Sequence, residues 1–338
     1  MGTNITNFVG IDVSKLKIDV AIIKNNDKSS ITNSIFENNI KGMQKLSKFL
    51  QKENKLDMAA TLICIEHTGI YNRCLLNYIS KKNCLIWVEM PVKIIKSMGL
   101  QRGKSDKLDA QKIALYAYKN HEDAELWQPK SEVLQQIQDL LSLRDRLIQA
   151  RNSFEVPIKE LKSIGDKKSS SLLYKSCKTS LSAIEKDLED INKQLAELIN
   201  QDENLKKLHE ITTSVTGIGN ITSLALMCYT NAYQNYKEGK QLACYCGVAP
   251  FEHSSGTSVR GKTRVNHMAN KDLKRLLHLG ALAAVRSKGE FKDYYSRKLA
   301  EGKNKMSVIN AIRNKMLLRV AAVVRRGTPY EKNFVFAR

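Results

Sequence analysis

The sequence of 338 residues predicts an N-terminal α/β domain followed by a mostly helical remainder. Three observations support this prediction. Short β-rich and helical segments alternate up to about residue 125, apolar residues then recur at heptad spacing, and helical patterns dominate from residue 211 onward. We therefore divide the chain into an N-terminal domain at 1–128, a helical connector at 129–210 and a C-terminal domain at 211–338.

The N-terminal segment is predicted to have the element order β-β-β-α-β-α-β-α. The predicted elements are strands at Asn7–Asp12, Lys17–Ile23 and Ser30–Phe36, a helix at Ile40–Leu50, a strand at Thr61–Ile65, a helix at Tyr71–Ile79, a strand at Cys84–Val88, and a helix at 105–119 with Ser105 as N-cap. Three antiparallel strands followed by crossover units are the architecture of the ribonuclease H-like fold, so we expect that fold here.

The connector is predicted to contain two long helices. The first is expected at Leu134–Ala150, and Pro157 and the Ser/Lys-rich stretch at 167–171 indicate a turn or a frayed segment after it. The second has the heptad spacing of a coiled coil, in a series where Asp202 takes a skipped core position. The apolar residues of this series are Ile184, Leu188, Ile191, Leu195, Leu198 and Leu205. A long antiparallel hairpin, a dimerising arm and an intramolecular helical bundle all fit this pattern.

The C-terminal domain opens with a Gly-x-Gly motif before a predicted helix at Ile221–Tyr229. Gly217 and Gly219 at a helix start would present free backbone N–H groups to a nucleic-acid phosphate. A tight turn between two helices needs the same glycines, so both interpretations stay open.

Positive charge is concentrated at the C-terminal end. The net charge is +21, and residues 256–338 contribute +15 of it, from 20 Lys/Arg against 5 Asp/Glu. Such a field attracts polyanions, and we expect nucleic acid rather than a membrane, because no lipidation motif or basic amphipathic anchor is found. Arg260, Lys262 and Arg264 alternate as in a segment that follows a phosphate backbone, although a solvated surface also fits. Lys104 is a further expected nucleic-acid contact.

The seven cysteines are scattered and show no spacing typical of a zinc site or a disulfide framework. Free thiols in a reducing cytosol are the simple explanation. No segment has the features of a signal peptide or the length of a membrane span. We expect a soluble protein of the cytoplasm and nucleoid in a bacterial or archaeal cell.

Four carboxylates in the first third of the chain form the candidate catalytic site. Asp12 and Glu66 each close a buried apolar strand, where an unpaired charge is costly. Asp106 and Asp109 share one face of a predicted helix, although the helix dipole also favours acids in a first turn. Strand ends of such a sheet open on one edge. Because converging acids repel one another without cations, we expect two Mg²⁺ ions as cofactor.

A loop rich in serine, glycine and cations follows Cys246–Pro250. Ser254 or Ser255 in this loop suits a nucleophile beside groups that clamp a phosphate. A flexible loop that touches DNA, or one without a ligand, fits equally well. His253 is interpreted as a loop residue rather than as a catalytic base.

Taken together, these motifs resemble the IS110 family of transposases, which includes the IS1111-type elements. The resemblance spans nearly the whole chain and keeps the order and spacing of separated segments. The matching segments are Gly10–Lys15, Glu66–Tyr71, Lys104–Ala110, Gly217–Gly219, Gly247–Pro250 and Ser254–Gly256. Each motif is unspecific alone, but the combination is specific.

The resemblance implies a RuvC-like N-terminal domain, a coiled-coil segment and a C-terminal transposase domain. It implies a DEDD tetrad of Asp12, Glu66, Asp106 and Asp109 with Mg²⁺, and a serine that attacks a DNA phosphodiester and forms a phosphoserine link. By position this serine is Ser255, with Ser254 as competitor. The resemblance also implies donor and target DNA, a structured noncoding guide RNA from the element, and active sites assembled between protomers of a dimer or tetramer.

The sequence therefore favours a DNA transposase that excises and inserts its own element. The alternative is a RuvC-like nuclease or Holliday junction resolvase that uses water as the nucleophile. A sugar kinase or actin-like ATPase begins with similar strands and an early Asp, but we find no second glycine-rich phosphate loop after a strand. A nucleic-acid-binding protein without catalysis is the simplest competing hypothesis.

Overall fold

The computed structural model describes residues 4–98, 105–236, 238–255, 259–265 and 268–331, without the side chains of 252–255 and 259–264. The described chain forms two compact units, Met1–Pro129 and Lys130–Arg338. The helices predicted for the connector belong to the second unit. The three-part division of the chain remains a prediction.

The first unit is built on a five-stranded sheet in the order β3-β2-β1-β4-β5. β1, β2 and β3 are antiparallel, and β4 and β5 continue the sheet parallel to β1. The elements are β1 (Asn7–Val13), β2 (Lys17–Lys24), β3 (Asp27–Glu37), α1 (Ile40–Lys48), β4 (Thr61–Glu66), α2 (Asn72–Ile79), β5 (Leu85–Glu89), α3 (Pro91–Ser97) and α4 (Asp106–Asn120). This topology confirms the predicted ribonuclease H-like architecture.

Helices cover both faces of this sheet. Because the central strands are buried on both sides, their sequences are nearly continuous runs of apolar residues. Odd-numbered residues of β1, such as Val9 and Ile11, pack with α1 and α2. Phe8, on the other face, packs with α4. Because strand side chains alternate between faces, the strand residues that follow Phe8 at even numbers lie under α4.

The second unit is mostly helical. Its elements are α5 (Glu132–Ser163), α6 (Lys167–Asn200), α7 (Glu203–Thr213), α8 (Asn220–Thr230), α9 (Gly239–Tyr245), β6 (Pro250–Ser255), β7 (Val259–Val265), α10 (Lys271–Arg286), α11 (Glu290–Ala300) and α12 (Lys305–Arg326). β6 and β7 form an antiparallel hairpin. One apolar core joins α5 and α6 to the helices from α7 onward. Within the described ranges, no helix is long and apolar enough to cross a membrane.

α5 and α6 form an antiparallel pair within the chain. Arg144 donates to Asn192 (3.1 Å) near one end of the pair, and Ser170 donates to the carbonyl of Ile158 (3.2 Å) near the other. The coiled-coil character predicted for these helices remains a prediction, because the contacts show only their pairing.

Three local expectations for this pair were wrong. α5 continues through Pro157 and packs along α6. The stretch at 167–171 is the start of α6, since Asp166 caps that helix by accepting from the N–H of Ser169 (2.9 Å). Asp202 is not a skipped core position: α6 ends before it, and its side chain caps α7 by accepting from the N–H of Leu205 (3.1 Å).

Candidate active site

A glycine in β1 allows α4 to lie directly on the sheet. A Cβ atom at Gly10 would lie 2.2 Å from the backbone nitrogen of Ala114 and 2.4 Å from the carbonyl oxygen of Ala110. No side chain fits in that space, so this contact fixes the height of α4 above β1. Asp12 follows Gly10 on the same face of the strand, next to the turn of α4 that precedes Ala110.

Strand alternation places several acids on this face of the sheet. Ile11 pairs with Ile65, so Asp12 and Glu66 follow at the ends of neighbouring parallel strands. Asp12 pairs directly with Asp19 across the β1–β2 hairpin. Asp106 and Asp109 lie in the first turn of α4, where Ser105 caps the helix as predicted.

The electrostatics of Asp12 show that these acids are neighbours. Burial raises the pKa of its carboxyl group to about 6, with further increases from the charges of Glu66, Asp106, Asp109 and, last, Asp19. All three other members of the predicted tetrad therefore act on Asp12. The structure brings the four predicted carboxylates into one electrostatic cluster, which we call the acidic cluster.

Lysines balance part of the negative charge of the acidic cluster. The ammonium of Lys17 lies 3.1 Å from Asp19 and 2.9 Å from Asp106, and these hydrogen bonds raise its pKa, that with Asp106 most. Lys112 lies 2.6 Å from Asp109. The sequence analysis missed Asp19, Lys17 and Lys112. The β1–β2 hairpin register could have identified Asp19, because the short turn after Val13 sets it opposite Asp12.

Glu89 is a further acid at the same edge, where it pairs with Glu66 across β4 and β5. Its carboxylate is buried and accepts from the backbone of Met90 (2.7 Å), from Lys93 (3.2 Å) and from the hydroxyl of Tyr116 (3.3 Å). Its bonds are all made within the first unit. We therefore interpret Glu89 as a structural acid that ties α3 and α4 to the sheet.

The acidic cluster has the donor chemistry of a divalent-cation site. Carboxylate oxygens are the ligands that hard divalent ions prefer, and a carboxyl whose pKa is raised by burial and by acidic neighbours is stabilised in its charged form by a cation placed among them. In the side-chain arrangement of the described residues, no group of three or more acids, histidines or cysteines is positioned to hold a metal ion. Lys17 and Lys112 are paired with Asp106 and Asp109 instead. Metal binding would require these ammonium groups to move aside.

The predicted serine lies on the β6–β7 hairpin of the second unit. Ser254 pairs with Arg260 and Ser255 with Val259 in its backbone register. The side chains of Ser255, Arg260, Lys262 and Arg264 lie outside the described part of the structure, and so does the whole of Lys104. Their expected roles remain predictions.

The two glycines of the Gly-x-Gly motif differ in their surroundings. Gly217 has a φ of +89°, and a Cβ there would lie 2.7 Å from the Cε atom of Met316 and 3.1 Å from the carbonyl oxygen of Gly280. Packing against α10 and α12 thus accounts for Gly217 without a ligand. Gly219 precedes α8, and a Cβ there would meet open space. A phosphate contact stays a prediction for both.

Two family models match this chain. The model of the DEDD transposases of the IS110 group, described as "Transposase", matches residues 9–161. The model described as "Transposase IS116/IS110/IS902 family" matches residues 209–296. The first match contains the whole acidic cluster, and the second contains the β6–β7 hairpin. The chain belongs to the IS110/IS1111 family of transposases.

Relatives along most of the chain agree with this assignment. A pilin gene-inverting protein of Moraxella bovis is 28% identical over 333 residues, which cover 96% of this transposase and 98% of the relative. The transposase for insertion sequence element IS1111A of Coxiella burnetii is 24% identical over 258 residues, 68% of this chain and 69% of the relative. A solved RuvC of T. thermophilus in complex with a Holliday junction substrate has a TM-score of 0.27 and 9% identity, covering 36% of this chain and 99% of that one.

Family membership makes the protein an enzyme that acts on DNA. The DEDD type of its N-terminal domain suggests dependence on a divalent metal, which agrees with the carboxylate chemistry of the acidic cluster.

Proposed function

We propose that this transposase cleaves and rejoins DNA strands to excise and insert its own element, with Mg²⁺ at the acidic cluster and Ser255 as nucleophile. The observation that supports this most is the placement of Asp12 and Glu66 at the ends of neighbouring parallel strands, with Asp106 and Asp109 in the first turn of α4; their charges add to burial in raising the pKa of Asp12. Acids from β1, β4 and α4 converge at the carboxyl ends of parallel strands, where open α/β sheets bind their ligands.

In the proposed reaction, the hydroxyl oxygen of Ser255 attacks a backbone phosphorus atom of DNA. A serine–phosphate bond forms, the bond from phosphorus to a deoxyribose oxygen breaks, and the leaving oxygen receives a proton as the serine loses one. Rejoining reverses these steps on a second DNA end, so cleavage followed by rejoining needs no external energy source. Asp12, Glu66, Asp106 and Asp109 would hold Mg²⁺, which polarises the phosphate and stabilises the leaving oxygen when bound.

Under this proposal, a partner molecule rather than the protein selects the donor and target DNA sites. We propose that a structured noncoding RNA from the element selects both DNA sites by base pairing, and that a dimer or tetramer brings the serine of one protomer to the acids of another. Both proposals rest on the family, and the +15 charge of residues 256–338 supports binding of a polyanion. Copurification of RNA with the transposase, followed by sequencing, tests the first.

The covalent link provides the direct test of the serine. The protein is incubated with labelled donor DNA, Mg²⁺ and the element RNA, and a protein–DNA adduct is detected on a denaturing gel. Ser255→Ala should abolish the adduct while DNA binding remains, and Ser254→Ala should retain it. Loss of the adduct in Ser254→Ala alone would transfer the role to Ser254, and an adduct in both variants would refute the mechanism.

A nuclease that uses water as nucleophile is the second candidate. One observation favours it: the whole acidic cluster lies within the first unit, so hydrolysis would need no group from the second. Under that mechanism, DNA is cleaved without any adduct and Ser255→Ala has no effect on the cleavage rate.

A further inference from the structure

Arg313 in α12 is buried and has no acidic partner among the described residues. Its side chain is 7% exposed, and its Nε atom has no hydrogen-bond partner in the part of the chain that the structure describes. Burial lowers its pKa, and no carboxylate of the described residues opposes that effect. A buried guanidinium without a counterion is costly, and a bound anion would offset that cost.

A lysine and a histidine lie near Arg313. Lys274 and His278 are four residues apart on α10, which packs against α12, so they share one helix face. The pKa of each is lowered, first by burial and then by the positive charge of Arg313. The Nδ1 atom of His278 is also buried, with no hydrogen-bond partner among the described residues. We call Lys274, His278 and Arg313 the cation cluster.

Arg319, two turns further along α12, shows how the same fold satisfies an arginine. It makes hydrogen bonds of 2.5 and 2.8 Å with the two carboxylate oxygens of Glu290. Its guanidinium also stacks on the rings of Phe291 and Tyr330. Arg313 has no such acid among the described residues.

The cation cluster lies at the base of the β6–β7 hairpin. The backbone N–H of Asn270, the N-cap of α10, donates to the carbonyl of Tyr245 (2.8 Å), and the amide of Asn310 in α12 donates to the carbonyl of Val248 (2.9 Å). Lys274 and Arg313 follow these two asparagines by about one helical turn. The turn that leads into β6 is thus fixed to both helices beside the cations.

We propose that the cation cluster binds a phosphate group of the DNA backbone. Guanidinium, ammonium and imidazole N–H groups donate hydrogen bonds to phosphate oxygens, and the low polarity around Arg313 strengthens them. A carboxylate of a protein partner fits less well, because this chain acts on DNA and its strongest positive field lies in the same region.

The proposed site positions DNA and takes no part in the reaction. Ser255 lies five residues beyond Pro250 along β6, a distance of about 16 Å for an extended strand. A phosphate at the cluster is therefore not the one that Ser255 attacks. The inference rests on the proposed function for the source of the phosphate and on the geometry of the second unit for the site itself.

The test measures DNA affinity in EDTA, in a Ser255→Ala background, by fluorescence anisotropy at several salt concentrations. Arg313→Gln should weaken binding about 10-fold and reduce the slope of log K against log salt by about 1, because one phosphate contact is lost. Arg313→Lys should recover most of the affinity. The control Lys292→Gln removes a charge from an exposed position on α11 and should retain the slope.

Thermal unfolding provides the second readout. Arg313→Gln should raise the Tm of the free protein, since it removes a buried unpaired charge, and should abolish the Tm increase caused by inorganic pyrophosphate. If this variant does not fold, Lys274→Gln provides the same test of the salt slope. A salt slope and affinity equal to those of Lys292→Gln would overturn the proposal.

The DNA-affinity and pyrophosphate measurements together distinguish an error in the proposed phosphate site from an error in the proposed function. A pyrophosphate effect that depends on Arg313, with unchanged DNA affinity, would identify a site for free phosphate and overturn the DNA assignment. If Arg313→Gln weakens DNA binding but the protein that retains Ser255 forms no adduct in the separate gel assay, the cluster would be supported and the serine mechanism refuted.

Discussion

Lys17 and Lys112 in the first unit are paired with carboxylates, whereas Arg313 in the second unit is buried with no acidic partner among the described residues. The first unit gathers acids at one edge of its sheet, although its net charge is +6, from 19 Lys/Arg against 13 Asp/Glu in residues 1–129. The second gathers cations between two helices. A metal-dependent reaction on a phosphodiester needs both kinds of site, one for the metal ion and one for the DNA backbone.

The largest expected effect concerns the acidic cluster. Asp12→Asn keeps the shape of the side chain but removes the charge that would hold a metal ion. We expect the rate of DNA cleavage with Mg²⁺ to fall by at least about 10³-fold. The measurement is the initial rate of strand cleavage on a denaturing gel.

Asp27→Asn is the matched control, because Asp27 is an exposed acid that bonds to Ser29 in the β3 segment. It should cleave at the normal rate. Cleavage by Asp12→Asn within tenfold of the unchanged protein would remove Asp12 from the catalytic site.

The second effect tests what positions the acids. Gly10→Ala forces a Cβ atom into the backbone of α4, and we expect the free energy of unfolding to fall by about 3 kcal/mol. Gly219→Ala, in the second unit, places its Cβ in open space and should cost less than about 1 kcal/mol. Urea unfolding measures the free energy of unfolding of both variants. Equal losses would show that the close contact between α4 and β1 does not require a glycine at position 10.

The outcome of sequence reasoning differs between these two regions for a physical reason. The order of elements could be predicted because buried strands are short apolar runs, and the four acids could be selected as candidates because each follows such a run or a helix cap. Asp19 was missed because its role depends on hairpin register, which charge spacing alone does not reveal.

In the second unit, contacts between residues distant in sequence determine more of the structure than they do in the first. A proline usually ends a helix, but α5 continues through Pro157 and packs along α6. Arg313 could not be distinguished from the other cations of residues 256–338 by sequence, since only the folded pairing of α10 with α12 separates it from acids. Local patterns predict elements, whereas the state of a charge depends on its distant neighbours.

The third effect is the pH dependence of stability. The pKa of Asp12 rises from 3.8 to about 6 on folding, so the folded protein binds more protons than the unfolded chain between these values. Stability should therefore fall as the pH rises from about 4 to about 6, by about 1–3 kcal/mol for this half-buried group. Above pH 6 the loss is complete. Thermal unfolding without metal across this range measures it, and Asp12→Asn should lack this step.

A divalent ion should reverse the sign of this effect. Binding requires the ionised carboxylate, so Mg²⁺ should raise the Tm above about pH 6 and lose that effect as Asp12 is protonated at lower pH. An equal Mg²⁺ effect at pH 5 and pH 8 would contradict a metal site that includes Asp12.

The smallest effect concerns a paired lysine of the first unit, in contrast to Arg313, which has no acidic partner among the described residues of the second. Lys17 is 42% exposed and competes with a metal ion for Asp106, so Lys17→Gln should change the stability without metal only slightly. The same variant should bind Mg²⁺ a few-fold more tightly, because a positive charge has left the site. Calorimetric titration at pH 8 measures this, with Lys28→Gln, an exposed lysine of β3, as control. Weaker Mg²⁺ binding by Lys17→Gln would mean that Lys17 organises the acids rather than occupying the place of the ion.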